Sequence, residues 1–144
     1  YRAPASTAGD LAPASTAGDL APASTAGYRA PASTAGDLAP ASTAGYLAPA
    51  STAGDRAPAS TAGYRAPAAA LGKKSIAACL GQSSRAKAGK DGCVIVAWWE
   101  GDYQEGRPRV TVGYVGENGI NPDTWYAADE KGQLVEKPDS GVKE

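Results

Sequence analysis

From Tyr1 to Gly72 the polar and apolar positions recur every nine residues: YRAPASTAG, DLAPASTAG, DLAPASTAG, YRAPASTAG, DLAPASTAG, YLAPASTAG, DRAPASTAG and YRAPAAALG. Large apolar side chains are almost absent. Small ones, mostly Ala, hold the frame with one Pro and one Gly per unit. The phase decays through KKSIAACLG to Gly81 and QSSRAKAGK to Lys90. Such a period predicts a solenoid, in which each unit buries its face only against its neighbours. A disordered Pro/Ala/Ser linker shares the composition. It needs neither a fixed phase nor a Gly locked at one position.

Nine residues are too few for a closed coil with two sides and two corners. The first position of each unit, reading Y, D, D, Y, D, Y, D, Y, indicates the coil length. Neighbouring units match there in one pair of seven, units two apart in four of six, and units three apart in two of five. An 18-residue coil of two nonapeptides follows. It puts Tyr28, Tyr46 and Tyr64 in one column and Asp19, Asp37 and Asp55 in the column opposite. With coils stacked ~4.8 Å apart, residues 1–90 make a stub ~24 Å tall. In this frame Ala, Ser and Thr fit between the facing strands, and Gly supplies a corner with φ > 0. Pro, unable to donate to a ladder, sits at the other bend or in an unpaired stretch. A buried methyl contributes ~0.8 kcal/mol while ordering a residue costs ~1–2 kcal/mol. Inter-coil hydrogen bonds, Pro rigidity, Tyr stacking and a cap must therefore supply the balance.

After Gly72 the pattern changes. Leu71, Ile76 and Leu80 lead into CVIVAWW, an apolar strand over 93–99. EGDYQEGRP reads as a turn and RVTVGYVG as the returning strand. NPDTWY reads as a turn or one helical turn capped by Asp123 or Thr124, and GQLVEK as a final strand. The expected fold class is all-β: a parallel β-solenoid over 1–90, then a small antiparallel β cap over 91–144 that covers the solenoid's strand edges. The tail PDSGVKE is expected to fray.

Composition refines this picture in a few places. A length of 144 residues fits one domain, or one domain with an appendage, and a net charge of −1 gives no global basic field for nucleic acid. No apolar run approaches the ~20 residues that cross a bilayer, and no signal-peptide pattern opens the chain. A start at Tyr1 with no Met reads as a piece of a longer protein entered partway through a repeat array. Cys79 and Cys93 are the only cysteines, and His is absent. That removes the usual base and the commonest metal ligand. The expectation is a reduced, cytoplasmic protein, with a single bridge as the alternative. Residues 73–90 hold Lys73, Lys74, Arg85, Lys87 and Lys90 and no acid, while 91–144 hold five cations against eleven acids. These are either two complementary solvated surfaces or a basic collar that meets phosphate or an acidic partner.

Several candidate chemistries can be weighed. The Asp column invites comparison with calcium-binding nonapeptide rolls, but one Gly and one Asp per unit fall short of six or more oxygen ligands. The regular Thr positions suggest an ice-facing surface, and STAGY resembles the tyrosine-bearing repeats of bacterial ice-nucleation proteins. Those run to sixteen residues with paired Thr and no Pro in each unit. The Tyr28/Tyr46/Tyr64 column suits self-association or partner binding, and equally suits plain stacking between coils. Trp98, Trp99 and Trp125 read first as cap residues and second as part of a contact surface, with one of Trp98 and Trp99 turned outward. Cys79 and Cys93 read as packed small hydrophobes. No nucleophile–base pair suggests an enzyme, and no cofactor or metal is expected.

RAKAGKDGCVIVAWWE and GINPDTWYAADEKGQLVE, following the nonapeptides, resemble the C-terminal segment of a group of phage and prophage proteins. Its specific part runs from Gly92-Cys93 through Ile95-Val96 to Pro122-Asp123-Thr124-Trp125-Tyr126. The resemblance covers essentially the whole chain. It implies a capped β-solenoid in a phage or bacterial setting and carries over no functional residues. The functional expectation is a non-enzymatic structural or binding module contacting a protein partner or another copy of itself. Ice interaction and a nucleic-acid or acidic-partner contact through the basic collar are the alternatives.

Overall fold

A computed structural model of the chain describes residues 3–102 and 104–137. The tail PDSGVKE lies outside them. Each AST triplet forms a short strand: β1 Ala5–Thr7, β2 Ala14–Thr16, β3 Ala23–Thr25, β4 Ala32–Thr34, β5 Ala41–Thr43, β6 Ala50–Thr52 and β7 Ala59–Thr61. β8 Ala68–Ala70, β9 Ile76–Cys79 and β10 Ala86–Ala88 continue the series. From β1 to β8 each pairs in parallel with the strand two places on, as Ala5 with Ala23 and Ala14 with Ala32, so a coil is 18 residues. The molecule is an all-β solenoid of two sheets. Sheet I runs β1-β3-β5-β7-β9 and sheet II runs β10-β8-β6-β4-β2.

Side chains alternate around the coil with the period of two that extended chain imposes. The third, fifth, seventh and ninth positions of each unit point inward as Ala, Ala, Thr and Gly; the even positions face out. Ala30, Ala39, Ala48, Ala57 and Ala66 are fully buried, and Thr25 to Thr61 nearly so. Ser, expected between the strands, is instead on the outer faces as the sixth residue.

Pro and Thr form a compensating pair. Along the ladder, the amide at the fourth position donates to the third-position carbonyl of the coil below, as Cys93 does to Ser75 at 3.1 Å. Proline at the fourth position has no such proton. The Thr hydroxyl of the preceding strand takes over: Thr7 donates to Ala12, Thr34 to Ala39 and Thr61 to Ala66, each at 2.6 Å. The Pro carbonyl still accepts, from Ala5 to Pro22 and Ala41 to Pro58 at 3.0 and 3.1 Å.

The corners correct the expectation for glycine. Those from Gly9 to Gly45 are β-turns closed by a bond such as Ala12 N–H to the Gly9 carbonyl at 3.1 Å. The residue with positive φ is the second of each unit, Leu or Arg in the repeats: Leu11, Leu20, Arg29, Leu38, Leu47, Arg56 and Arg65 lie between 55° and 63°. The repeat glycines are not in that region. They are needed because coils approach closely there: a Cβ on Gly45 or Gly54 would penetrate the Gly27 or Gly36 carbonyl one coil below. The left-handed residue costs roughly 1–2 kcal/mol. Its amide is engaged across coils, as Leu38 to the Asp55 carbonyl at 3.0 Å.

The cap extends both sheets. β11, Cys93–Glu100, stacks in parallel on β9 with Cys93 opposite Ile76, a spacing one residue shorter than the repeat. It then runs beyond the coil and pairs antiparallel with β12, Arg107–Tyr114. On sheet II, β13, Tyr126–Ala128, lies antiparallel on β10, followed by β14, Leu134–Glu136. Val94, Val96 and Tyr126 close the solenoid core from above, with Val115, Ile120 and Leu134 packed on them. NPDTWY turns at Pro122 and Asp123 and ends in β13, and the described residues contain no helix. Asp123 stands at φ 54° and Thr124 donates to the Pro122 carbonyl, so neither caps a helix.

Two substitutions test these roles by chemical unfolding followed by circular dichroism. Gly54→Ala is expected to destabilise by more than ~3 kcal/mol, whereas Leu38→Gly should shift stability by under ~1 kcal/mol, because relief of the left-handed side chain offsets added chain entropy. The opposite ordering would return the positive φ to glycine. Thr34→Val, which leaves the Ala39 carbonyl without its donor, should lose ~1–3 kcal/mol, and Thr34→Ser should recover most of it.

Candidate interaction surfaces

The first residue of each unit stands at a corner, where its side chain meets its counterpart one coil away. On one corner Tyr28, Tyr46 and Tyr64 form a continuous stack. Ring centroids are 5.4 Å apart, interplanar angles 7° and 9°, and each residue is 42% exposed. That separation is within the favourable range for offset aromatic pairs. The Arg29 guanidinium lies 5.6 Å from the Tyr28 centroid. Asp10 begins the column, and its Oδ1 accepts the Tyr28 amide at 3.1 Å.

On the opposite corner the carboxylates face amides. Asp19 accepts the Asp37 amide at 3.2 Å, Asp37 that of Asp55 at 2.9 Å, and Asp55 that of Lys73 at 2.9 Å. One slot is thus filled in two ways, by a ring on a ring or by a carboxylate on an amide.

The five cations of the basic collar divide between two places. Lys73 follows the Asp column, and the Lys74 amide donates to the Lys90 carbonyl at 2.9 Å, which sets Lys73, Lys74 and Lys90 along one corner. Arg85 and Lys87 belong to the outer face of sheet II, where Trp125 lies against both, 4.4 and 4.7 Å from its ring centroid. Trp125 is therefore a clasp between cap and solenoid. Trp98 points inward above the last coil and packs on Gly132, which the Thr111 hydroxyl also binds through its carbonyl at 2.7 Å. Trp99 points outward, opposite Pro108. The six aromatic candidates therefore do not form one surface.

The Thr hydroxyls, on which the ice-facing alternative depends, are engaged inside the coil. The outward columns are Pro, Ser and Ala. Cys79 and Cys93 are free thiols. Cys79 is opposite Val96 and Cys93 opposite Ile76, three residues apart along one strand. That offset is ~10 Å, beyond the ~4.4–6.8 Å Cα separation of a bridge. Burial pushes the Cys79 thiol up to about 12 and raises Cys93 as well. In the β13–β14 turn, the amides of Gln133 and Lys131 hold the Asp129 carboxyl below its usual range.

One group escaped the sequence reading. Register brings segments from β9, β11 and β12 into a single outward apolar grid on sheet I. The repeat frame carries a faint signal of it, since outward Pro, Ser and Ala become Ile76, Ala78 and Leu80. No protein-family model, curated protein or solved structure matches the chain.

The Cys79 thiol makes a test with a definite sign. Its folded pKa lies above its unfolded one, so the contribution is intact below pH ~9 and is lost as pH rises towards 12, at up to ~1.4 kcal/mol per unit. Cys79→Ala should remove that component. Unfolding midpoints of the two proteins should converge between pH 9 and 11, and parallel curves would contradict the burial.

Proposed function

We propose that the chain is a non-enzymatic structural or binding module whose repeat surface contacts a protein partner or another copy of itself. The Tyr28/Tyr46/Tyr64 stack carries this reading. Aromatic side chains dominate protein contacts, because each offers large area for little rotamer entropy. Here the rings are already fixed by one another, so docking against them costs little further ordering. Tyr46 has a ring on each face, which leaves its edge and phenolic oxygen for a partner.

The alternatives gain less support. An ice-facing surface lacks an outward Thr array, and the basic collar is shared between a corner and the Trp125 clasp. A phage or prophage setting, and with it a bacterial cytoplasm, rests on the resemblance of the C-terminal segment. No helix among the described residues is long and apolar enough to cross a membrane.

The test is the triple change Tyr28→Ser, Tyr46→Ser and Tyr64→Ser. The variant should keep the native circular dichroism spectrum while losing a contact that the native protein makes, whether with a host protein retained on an affinity column or with itself in sedimentation. Identical behaviour of the two proteins in both measurements would overturn the reading.

A further inference from the structure

The outward positions of sheet I change character along the solenoid. Over β1, β3, β5 and β7 they are only Pro, Ser and Ala, as in Pro58, Ser60 and Ala62. Above them the ladder places Ile76, Cys93 and Tyr114 in one row and Ala78, Ile95 and Val112 in the next. Leu80, just past β9, leads to Ala97 and Val110, and Trp99 with Pro108 ends the grid. Ile76, Leu80, Val110, Val112 and Tyr114 are 41–56% exposed. Scattered apolar residues at a surface mean little, whereas a contiguous patch marks a contact. None of these outward positions, from β1 to β12, carries a charged side chain. Sheet II differs at the same height, where Arg85 and Lys87 stand outward and Trp125 lies on them.

We infer that this outer face of sheet I is a homodimer interface, formed by two copies related by a two-fold axis parallel to the solenoid axis. Area selects the occupant. The apolar grid spans three strands and by itself is small for a stable pair. The whole uncharged face spans seven strands. At ~4.8 Å per strand and ~3.3 Å per residue it has a flat footprint of roughly 500 Å². Side chains standing off that plane bring the accessible area towards the ~800 Å² per partner of a standard interface. The face also suits itself. Every rung has the same height, so this two-fold sets each rung against its own copy, the grid on the grid and the Ser rows on the Ser rows, in a closed isologous contact. Edge pairing through β12 is disfavoured, because Arg107, Pro108 and Arg109 are three of that strand's eight residues and such residues blunt strand edges.

The interface goes beyond the proposed corner contact and involves none of its Tyr residues. Sedimentation of the whole chain across a concentration series tests it. The native protein should reach a dimer mass, and the Tyr28/Tyr46/Tyr64→Ser variant should remain dimeric. Val112→Lys, which sets a charge within the grid, should weaken the dimer at least ~10-fold. Ser42→Lys, on the same face but away from the core and cap, should weaken it too, which keeps the test valid if Val112→Lys fails to fold. Ser33→Lys, outward on sheet II, should leave it intact. A monomer at every concentration overturns the inference, as does a dimer insensitive to both sheet I changes or equally sensitive to Ser33→Lys. Mass lost only in the Tyr variant would place self-association at the corner instead.

Discussion

A coil that includes proline must close its hydrogen bonds without one of its amides, and much of this sequence follows from that requirement. Pro at the fourth position restricts the chain where it enters each strand, which lowers the entropy of the unfolded state. It also strips a donor from the ladder at a buried carbonyl. An unsatisfied buried carbonyl costs ~1–3 kcal/mol, and repetition would multiply that loss coil by coil. The inward Thr at the seventh position supplies the missing proton, as Thr25 does for Ala30. Its methyl packs with Ala in the same narrow interior. Thr and Pro are therefore one device, and the Ala core is viable because the backbone around it is satisfied.

The same close stacking governs the corners. Coils approach there until only Gly fits over the Gly beneath it, and the strain of the turn passes to the next residue but one. The residue between them faces outward and is free to vary. Alternation of Tyr and Asp at that position gives the two edges of the solenoid different chemistry while the backbone stays constant. A surface of stacked rings and a surface of engaged carboxylates thus arise from one turn. Function on such a scaffold is placed by the first residue of each unit and by the outward columns, since the inward ones are committed to the fold.

The 18-residue coil was legible because the first position is not averaged away by the repeat: matches two units apart locate Tyr28 over Tyr46 before any coordinates. Direction in or out was not legible. Ser and Thr are adjacent and chemically alike, and only the missing proline amide decides which hydroxyl turns inward. Glycine was assigned to torsion, its commonest constraint, whereas here distance to another coil is decisive. NPDTWY has the composition of a helix start, yet the Asp123 amide is drawn to the Ala88 carbonyl at 2.8 Å and the chain continues into β13. β13 itself, three residues long, carries no periodicity to read. The apolar face of sheet I is built from segments nearly forty residues apart, so it emerges only with the register of β9, β11 and β12.

The passage from repeat to cap shows that these rules act together. Pro gives way to Ile76, Arg85 and Cys93, so a fourth-position amide is again available to the coil below. Thr gives way to Ala70, Cys79 and Ala88, so the substitute hydroxyl goes as well. At the same point Ala at the third position becomes Ser75 and Ser84. The Ser75 hydroxyl inserts into the turn beneath it, accepting the Ala57 amide at 3.0 Å and facing the Gly54 carbonyl at 3.3 Å. Ser84 does the same for Ala66 and Gly63. The turn bond that closes earlier corners is thereby bridged through a side chain of the coil above. Freed from the Pro–Thr pairing, the strands can lengthen, and the eight residues of β11 carry Val94 and Val96 inward over the columns that Ala and Thr fill below. Larger inward residues finish the core, and larger outward ones on the same strand create the face that remains open. Closing one end of this solenoid and exposing an apolar surface beside it are consequences of a single change in the repeat.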